Sequence, residues 1–351
     1  MHIKNNVSLA TYTSFSVGGP AQFFTQVSTA DELIEALRCT TVDMPLHIIG
    51  YGSNSLISDK GLDGMTICVR GGAINVDGRT IIADAGAWWD DIVITAIEHE
   101  LWGIELLSEV PGSLGAALFI NIAAYGQSIG ESVTWVDIWD RRSDAVTRLT
   151  EKDLKWDYKT SLFQSDEAKN WVIIRACLSL SKEPTTTLSY QKALDIATEK
   201  SLDTNSLLDR RTIIIEARRQ AGSLWHPNDN KNHTVGSFFR NPVVSNKQAT
   251  YIMSFDESGK STEEIRKMNK VHGGNEMRIS AAHVMLAAGF KRNQRWGNVK
   301  LNEHNLLKIE ALPNATAQEI FDVATHIQRT CKEKLDVTLI AEARILGEFT
   351  A

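Results

Sequence analysis

Cysteine is scarce in this chain, and the few residues lie far apart. Cys39, Cys68, Cys177 and Cys331 are the only four in 351 residues. No two form a C-x-x-C pair, which excludes a zinc ribbon and a thioredoxin-like dithiol. Few, scattered thiols suit a reducing compartment, where they pack as small hydrophobes. An excess of basic charge is missing too. With 37 Lys+Arg against 43 Asp+Glu the formal net charge is −6, so recognition of nucleic acid through a basic face is not expected. There is no long apolar run. The longest, Leu114 to Ala124, falls far short of the roughly 18 residues of a membrane span. Met1 to Ser14 hold no apolar signal-peptide core, so a cytoplasmic protein away from membranes is expected. Metal motifs are absent as well. Nine histidines are scattered without ligand spacing, and neither H-E-x-x-H nor G-x-S-x-G occurs. Ser254 to Ser261 ends in Gly-Lys-Ser, but serine stands where a phosphate-binding loop needs its first glycine. Ser261 with Glu264 reads instead as a helix cap.

What is present is an ordinary globular composition, 43% hydrophobic and 23% charged. At about 150 residues per domain the length suggests two or three domains. Thr29 with Glu32 forms a capping-box pattern ahead of Leu33, Ile34 and Leu37, which predicts a helix. Leu46–Ile49 reads as a short strand, and Trp88–Glu100 as a helix with Trp89, Ile92, Val93, Ala96 and Ile97 on one face. This alternation means α+β or α/β. From Ser132 the pattern becomes strands: Val133–Trp139, a polar turn at Asp140–Asp144, a return strand Ala145–Leu149, and Trp171–Leu180. Leu202–Arg219 reads as mostly helical, and the polar stretch Trp225–Asn232 as a domain boundary. Ser254–Arg278, ending in Gly273-Gly274, reads as a surface segment. A second capping box, Thr316 with Glu319, opens a late helix. A final strand, Val337–Leu346, turns Glu342 and Arg344 to one side and Val337, Leu339, Ala341, Ala343 and Ile345 to the other.

Four places carry chemistry. Gly50-Tyr51-Gly52-Ser53-Asn54-Ser55 follows a strand, where small residues let backbone N–H groups approach an anion. It is not G-x-G-x-x-G, and alone it reads more readily as a plain strand-to-turn connection. Pro111-Gly112-Ser113-Leu114-Gly115-Ala116-Ala117, running on to Asn121–Gly126, is a second small-residue loop. Alone, close helix-sheet packing explains it equally well, but two such loops can face one large phosphorylated ligand. In Gly236-Ser237-Phe238-Phe239-Arg240-Asn241-Pro242, Ser237 is placed to donate a proton or a hydrogen bond, or the stretch is a turn with an apolar pair behind it. Glu342 beside Arg344 offers an acid, or a solvated ion pair on a sheet face.

Taken together and in this order, these motifs resemble the UDP-N-acetylenolpyruvoylglucosamine reductases, in their loop-bearing type I subgroup. The resemblance runs from Thr13-Ser14-Phe15-Ser16-Val17-Gly18-Gly19-Pro20-Ala21 to Gly347. It implies an α+β fold: a two-part FAD-binding region of the vanillyl-alcohol-oxidase (PCMH) type and a C-terminal α+β substrate-binding domain. The expected segments are 1–66 with 335–351, then 67–224, then 225–334. It implies FAD as cofactor, held without a covalent bond because no histidine lies between Gly50 and Ser58. NADPH is the implied hydride donor, and a UDP-sugar the implied partner, bound by a monomer.

In the implied reaction, hydride passes from FAD N5 to C3 of the enolpyruvyl group and a proton reaches C2. The product, UDP-N-acetylmuramate, is a peptidoglycan precursor. Ser237 is the implied proton donor, and Glu342 the charge-stabilising acid. Lys159 stands where an arginine usually steadies the substrate carboxylate, so the charge is kept and the bidentate fork is lost. The implied cofactor contacts are Gly50, Tyr51, Gly52, Ser53, Asn54, Ser55, Pro111, Gly112, Ser113, Gly115, Ala116, Asn121, Ala124, Tyr125 and Arg344. The implied substrate contacts are Tyr158, Tyr190, Arg218, Arg240 and Asn241. Ala221 departs from the family, where a phosphate-contacting lysine follows the arginine pair; Ile120 and Ala123 depart where glutamine and glycine are common. Two other readings stand beside this one: a flavin oxidoreductase of the same fold with another substrate, and a non-catalytic flavin- or nucleotide-binding protein.

Overall fold

The computed structural model describes residues 2–228, 233–254 and 278–350. The predicted Ser261 cap, Gly273-Gly274, and Asp229–Asn232 of the boundary stretch lie outside the described residues, as does the predicted surface segment apart from its ends, Ser254 and Arg278.

Three sheets organise the chain. The first is built from β1 (Lys4–Ser8), β2 (Pro20–Val27), β3 (Leu46–Ile49) and, beyond the short β4 (Ser55–Ile57), β5 (Leu62–Val69). Its order is β1-β2-β5-β3, with β1 antiparallel and the others parallel. Helix α1 (Ala30–Arg38) buries Leu33, Ala36 and Leu37 in a core shared with Met65 and Ile67 of this sheet and Trp139, Val172 and Ile174 of the next. The two halves of the predicted cofactor region therefore share one core. The capping box predicted at Thr29 is only half formed. Thr29 accepts the Glu32 N–H, but the Glu32 carboxylate accepts from Ser28 N at 2.7 Å, one residue early.

The second sheet is antiparallel. It places β6 (Ile74–Asp77) and β7 (Thr80–Asp84) beside Trp171–Ser179, Val133–Asp140 and Ala145–Thr150. Helix α2 (Trp89–Glu98) buries the predicted face, Trp89, Ile92, Val93, Ala96 and Ile97. Helix α3 (Leu114–Ile120) begins inside what reads in the sequence as a loop, because Ser113 caps it by accepting from Ala116 N. Two further helices follow, α4 (Gln191–Lys200) and α5 (Leu207–Gln220). The predicted Leu202 start of α5 moves to Leu207, where Ser206 caps it. Two ion pairs clamp α5 to this domain: Arg210 to Glu105 at 2.8 Å, both buried, and Arg211 to Asp90 at 2.7 Å.

The third sheet, Arg295–Trp296, Val299–Leu301 and Ile309–Ala311, packs with α6 (Asn246–Ser254), the helix Ala281–Ala287 and the long helix Ala317–Leu335. The long helix opens with the complete Thr316–Glu319 capping box. After it the chain returns. Only Arg344–Leu346 is a regular strand, parallel to β4. Residues 337–343 instead run beside the Gly236–Asn241 stretch, with Arg240 N donating to Ile340 O and Glu342 N to Phe238 O. Alternation buries Val337, Leu339 and Ala343, but Ile345 turns outward. The predicted long strand is thus shorter, because its first half finds single bridging partners rather than a sheet edge.

Candidate active site

The two small-residue loops meet. Gly50 leaves β3 so close to Ser113 that a Cβ would lie 2.6 Å from its Oγ, and Ser53 Oγ donates to Pro111 O at 2.8 Å. Gly52 has φ +67°, and a Cβ there would fall 2.0 Å from the Tyr12 carbonyl oxygen. Gly52 has no room for a side chain, and one at Gly50 would displace the Ser113 hydroxyl that caps α3. Between the loops lies a groove of about 440 Å³. It is lined by the predicted residues Gly50, Tyr51, Gly52, Ser53, Asn54, Ser55, Pro111, Gly112, Ser113, Gly115, Ala116 and Arg344. Arg344 is set by its own N–H to Asn54 O at 2.9 Å, and its guanidinium lies over the Phe119 ring. The groove joins two small-residue loops, where backbone can approach an anion, to the cations of Arg344, Arg141 and Lys169, a lining suited to a diphosphate-bearing cofactor. Gly52→Ala is expected to displace the loop and yield a folded protein without bound flavin, read from the absorbance spectrum beside circular dichroism.

A second cavity, of about 810 Å³, opens off the groove, and Ser53, Asn54 and Pro111 line both. Ser237, Glu342, Lys159, Tyr158, Tyr190, Arg218, Asn241, Ala124 and Tyr125 line it together, although they are spread over more than two hundred residues of sequence. Ser237 is held as a bridge partner of Lys308, with the buried Phe238 and Phe239 behind it. Glu342 is fixed by its backbone: its N–H donates to Phe238 O, and its carbonyl accepts from Asn54 Nδ2 at 3.1 Å. Its side chain meets Lys159 Nζ at 3.0 Å. Lys159 sits in a left-handed conformation, φ +54°, at the tip of the hairpin Trp156–Ser161. Tyr190 packs edge-on to Tyr125, 5.1 Å between ring centres, and burial pushes its phenol up to about 12. Arg278 lies 4.1 Å over the Tyr158 ring.

Four predicted contacts are placed elsewhere: Ala124 and Tyr125, expected at the cofactor, line the second cavity and not the groove. Asn121 lines neither cavity. Its amide donates to Asp157 O and accepts from Gly130 N, holding the Lys159 hairpin against α3. Arg240 donates to Gln164 Oε1, and Gln164 Nε2 donates to Phe119 O and Lys159 O. Both residues support the turn that carries Lys159. Sequence reading missed Gln164, and it missed Lys308, a buried lysine on the cavity wall. The signal for Lys308 was a lone charge inside Leu306-Leu307-Lys308-Ile309.

Comparison with known proteins agrees with this geometry. Residues 21–148 match an FAD binding domain, and residues 226–346 match the UDP-N-acetylenolpyruvoylglucosamine reductase C-terminal domain. The curated UDP-N-acetylenolpyruvoylglucosamine reductase of Streptomyces coelicolor is 29% identical over 98% of this chain and 90% of its own length. That of Thermobifida fusca is 29% identical over 97% of each. The crystal structure of the reductase from Thermus caldophilus covers 99% of this chain and 100% of its own, with a TM-score of 0.68 at 20% identity, which establishes the shared fold. The chain is a flavoprotein by class, with a two-part FAD-binding region and an α+β C-terminal domain. More particularly, it joins that region to the C-terminal domain of the UDP-N-acetylenolpyruvoylglucosamine reductases and resembles those enzymes along nearly its whole length.

Proposed function

We propose that this protein is the FAD-dependent, NADPH-consuming reductase that converts UDP-N-acetylglucosamine enolpyruvate to UDP-N-acetylmuramate for peptidoglycan synthesis. The observation that carries the reading is the convergence of Ser237, Glu342 and Lys159 on a cavity that opens into the glycine-loop groove. The groove fits FAD: two loops of small residues form its wall, and its backbone and Arg344 suit a diphosphate. FAD held there would supply the hydride chemistry between NADPH and the enolpyruvyl carbon.

The remaining chemistry belongs to side chains. We assign Ser237 as the donor of the proton to the neighbouring carbon, its backbone fixed by the bridge to Lys308. Glu342, held through its backbone to Phe238 and Asn54, is the acid that shares a proton with the substrate carboxylate as charge develops there. Lys159 offsets both carboxylates as a point charge rather than as a fork. Tyr190 forms an aromatic wall for the sugar nucleotide, joined there by Tyr125, which the sequence had assigned to the cofactor. Among the described residues no helix is long and apolar enough to cross a membrane, and we place the protein in the cytoplasm as a monomer.

An anaerobic titration tests the whole. NADPH is expected to bleach the flavin band, and UDP-N-acetylglucosamine enolpyruvate to restore it. Bleaching without restoration would leave a flavoenzyme and discard this substrate. A protein that never takes up FAD would discard the cofactor.

A further inference from the structure

Lys308 is 2% exposed, yet it lines the large cavity. It is the antiparallel bridge partner of Ser237, so the two side chains leave the same face. Its ammonium donates to Ala221 O at 2.8 Å, Gly222 O at 2.6 Å and Ser223 Oγ at 2.7 Å. Those three residues form the turn that ends α5. The same turn holds a second buried cation, because Arg218 donates through Nη2 to Ser223 O at 2.9 Å. No carboxylate lies within ion-pair distance of Lys308 or Arg218 among the described residues. Two buried cations sharing one turn with no carboxylate in direct ion-pair contact are costly to hold. That arrangement becomes favourable once an anion with two negative charges enters the cavity.

We propose that Lys308 and Arg218 form a dicationic seat for the diphosphate of the nucleotide-sugar, with Lys308 supplying from beneath the turn the charge that Ala221 lacks. The proposal deepens the functional reading above and rests on it for the identity of the sugar nucleotide. Lys308 acts as a positioning residue. It fixes the turn whose carbonyl orients Arg218, and it adds its charge to the field at the cavity wall.

The groups around Lys308 decide how that charge responds to pH. Burial is the main influence, Arg218 on α5 acts in the same direction, and Glu310 on its own strand opposes them; together they bring the ammonium down to about 7. Arg218 is itself flanked by Tyr125, Glu109 and Asp90. The exposed His304 lies against Gly222. The sign follows. An anion beside Lys308 raises its affinity for a proton, so diphosphate binding takes up a proton above neutrality and weakens as pH rises through about 7.

The test uses the FAD-loaded full chain and UDP-N-acetylglucosamine, whose diphosphate is esterified at both ends and does not titrate near neutrality. Calorimetry in buffers of different ionisation heat reads affinity and proton uptake together. The wild type is expected to take up close to one proton at about pH 8 and almost none at about pH 6, and His304→Asn is expected to behave alike. Lys308→Met is expected to weaken binding about tenfold or more at about pH 6 and to abolish the uptake. In turnover it raises KM for the enolpyruvyl substrate with little change in kcat. Adding Ala221→Lys to Lys308→Met is expected to restore affinity, which a clamp on the helix end alone would not do. Unchanged affinity in Lys308→Met with FAD retained overturns the proposal. If that variant fails to fold, absence of proton uptake by the wild type overturns it. Failure of the wild type to turn over the enolpyruvyl substrate refutes the functional reading, and leaves the binding result to decide on the seat.

Discussion

Ser237→Ala is expected to slow substrate-dependent reoxidation of the flavin by about 10²–10⁴-fold, the usual weight of a positioned proton donor. Reduction by NADPH should change little, because that half-reaction needs no proton from this hydroxyl. The substitution removes one oxygen and leaves the fold intact. The 236–241 stretch is held by backbone bonds, Phe238 N to Leu307 O, Arg240 N to Ile340 O and Glu342 N to Phe238 O, and by the buried Phe238 and Phe239. None of these involves the serine side chain. Rapid-mixing measurement of the two half-reactions separates the outcomes. Slowing confined to reoxidation supports the donor role and excludes a non-catalytic binder. Equal rates for both proteins would move the proton donor elsewhere in the cavity. A free serine hydroxyl is a weak acid near neutrality, so its neighbours must assist it.

The elements legible in the sequence were those with strong local signals. The Trp89–Ile97 face, the Asp140–Asp144 turn and the Thr316 box all appear where periodicity and capping place them. The glycine loops were legible as pieces, and their contact was not. Nothing local indicates that Ser53 reaches Pro111 across 58 residues. The failures are tertiary. Val337–Leu346 alternates like a strand, but only Arg344–Leu346 finds a neighbour to pair with along its length. Leu114–Ile120 is rich in small residues and reads as a loop, until Ser113 caps it as a helix. Asn121 and Arg240 carry the residue types of ligand contacts and spend them on the Lys159 hairpin. Lys308 stood out only as a lone charge in an apolar run, and that signal has no meaning until the C-terminus of α5, brought from about 85 residues away in sequence, supplies its three acceptors.

Glu342→Gln is expected to slow the substrate half-reaction by about 10²–10³-fold while FAD content and reduction by NADPH stay near the parent values. The geometry makes this a clean change. Both of the fixed bonds at this residue, to Phe238 O and from Asn54 Nδ2, use backbone atoms and survive the substitution. What changes is the side-chain pair. Lys159 Nζ, 3.0 Å from the Glu342 carboxylate and mostly buried, loses its charged partner and turns to the substrate carboxylate alone. Tighter substrate binding with a lower kcat is therefore the expected pattern, a sign that ground-state charge balance and transition-state stabilisation have been uncoupled. Lys159→Met should do the reverse, raising KM as well as lowering kcat. The double substitution then discriminates between two arrangements. If Glu342 and Lys159 act as one unit, Lys159→Met adds little to Glu342→Gln, because each alone has already broken the pair. If the losses multiply, the two residues meet the substrate independently, and the ion pair between them is only the resting arrangement of two separate contacts.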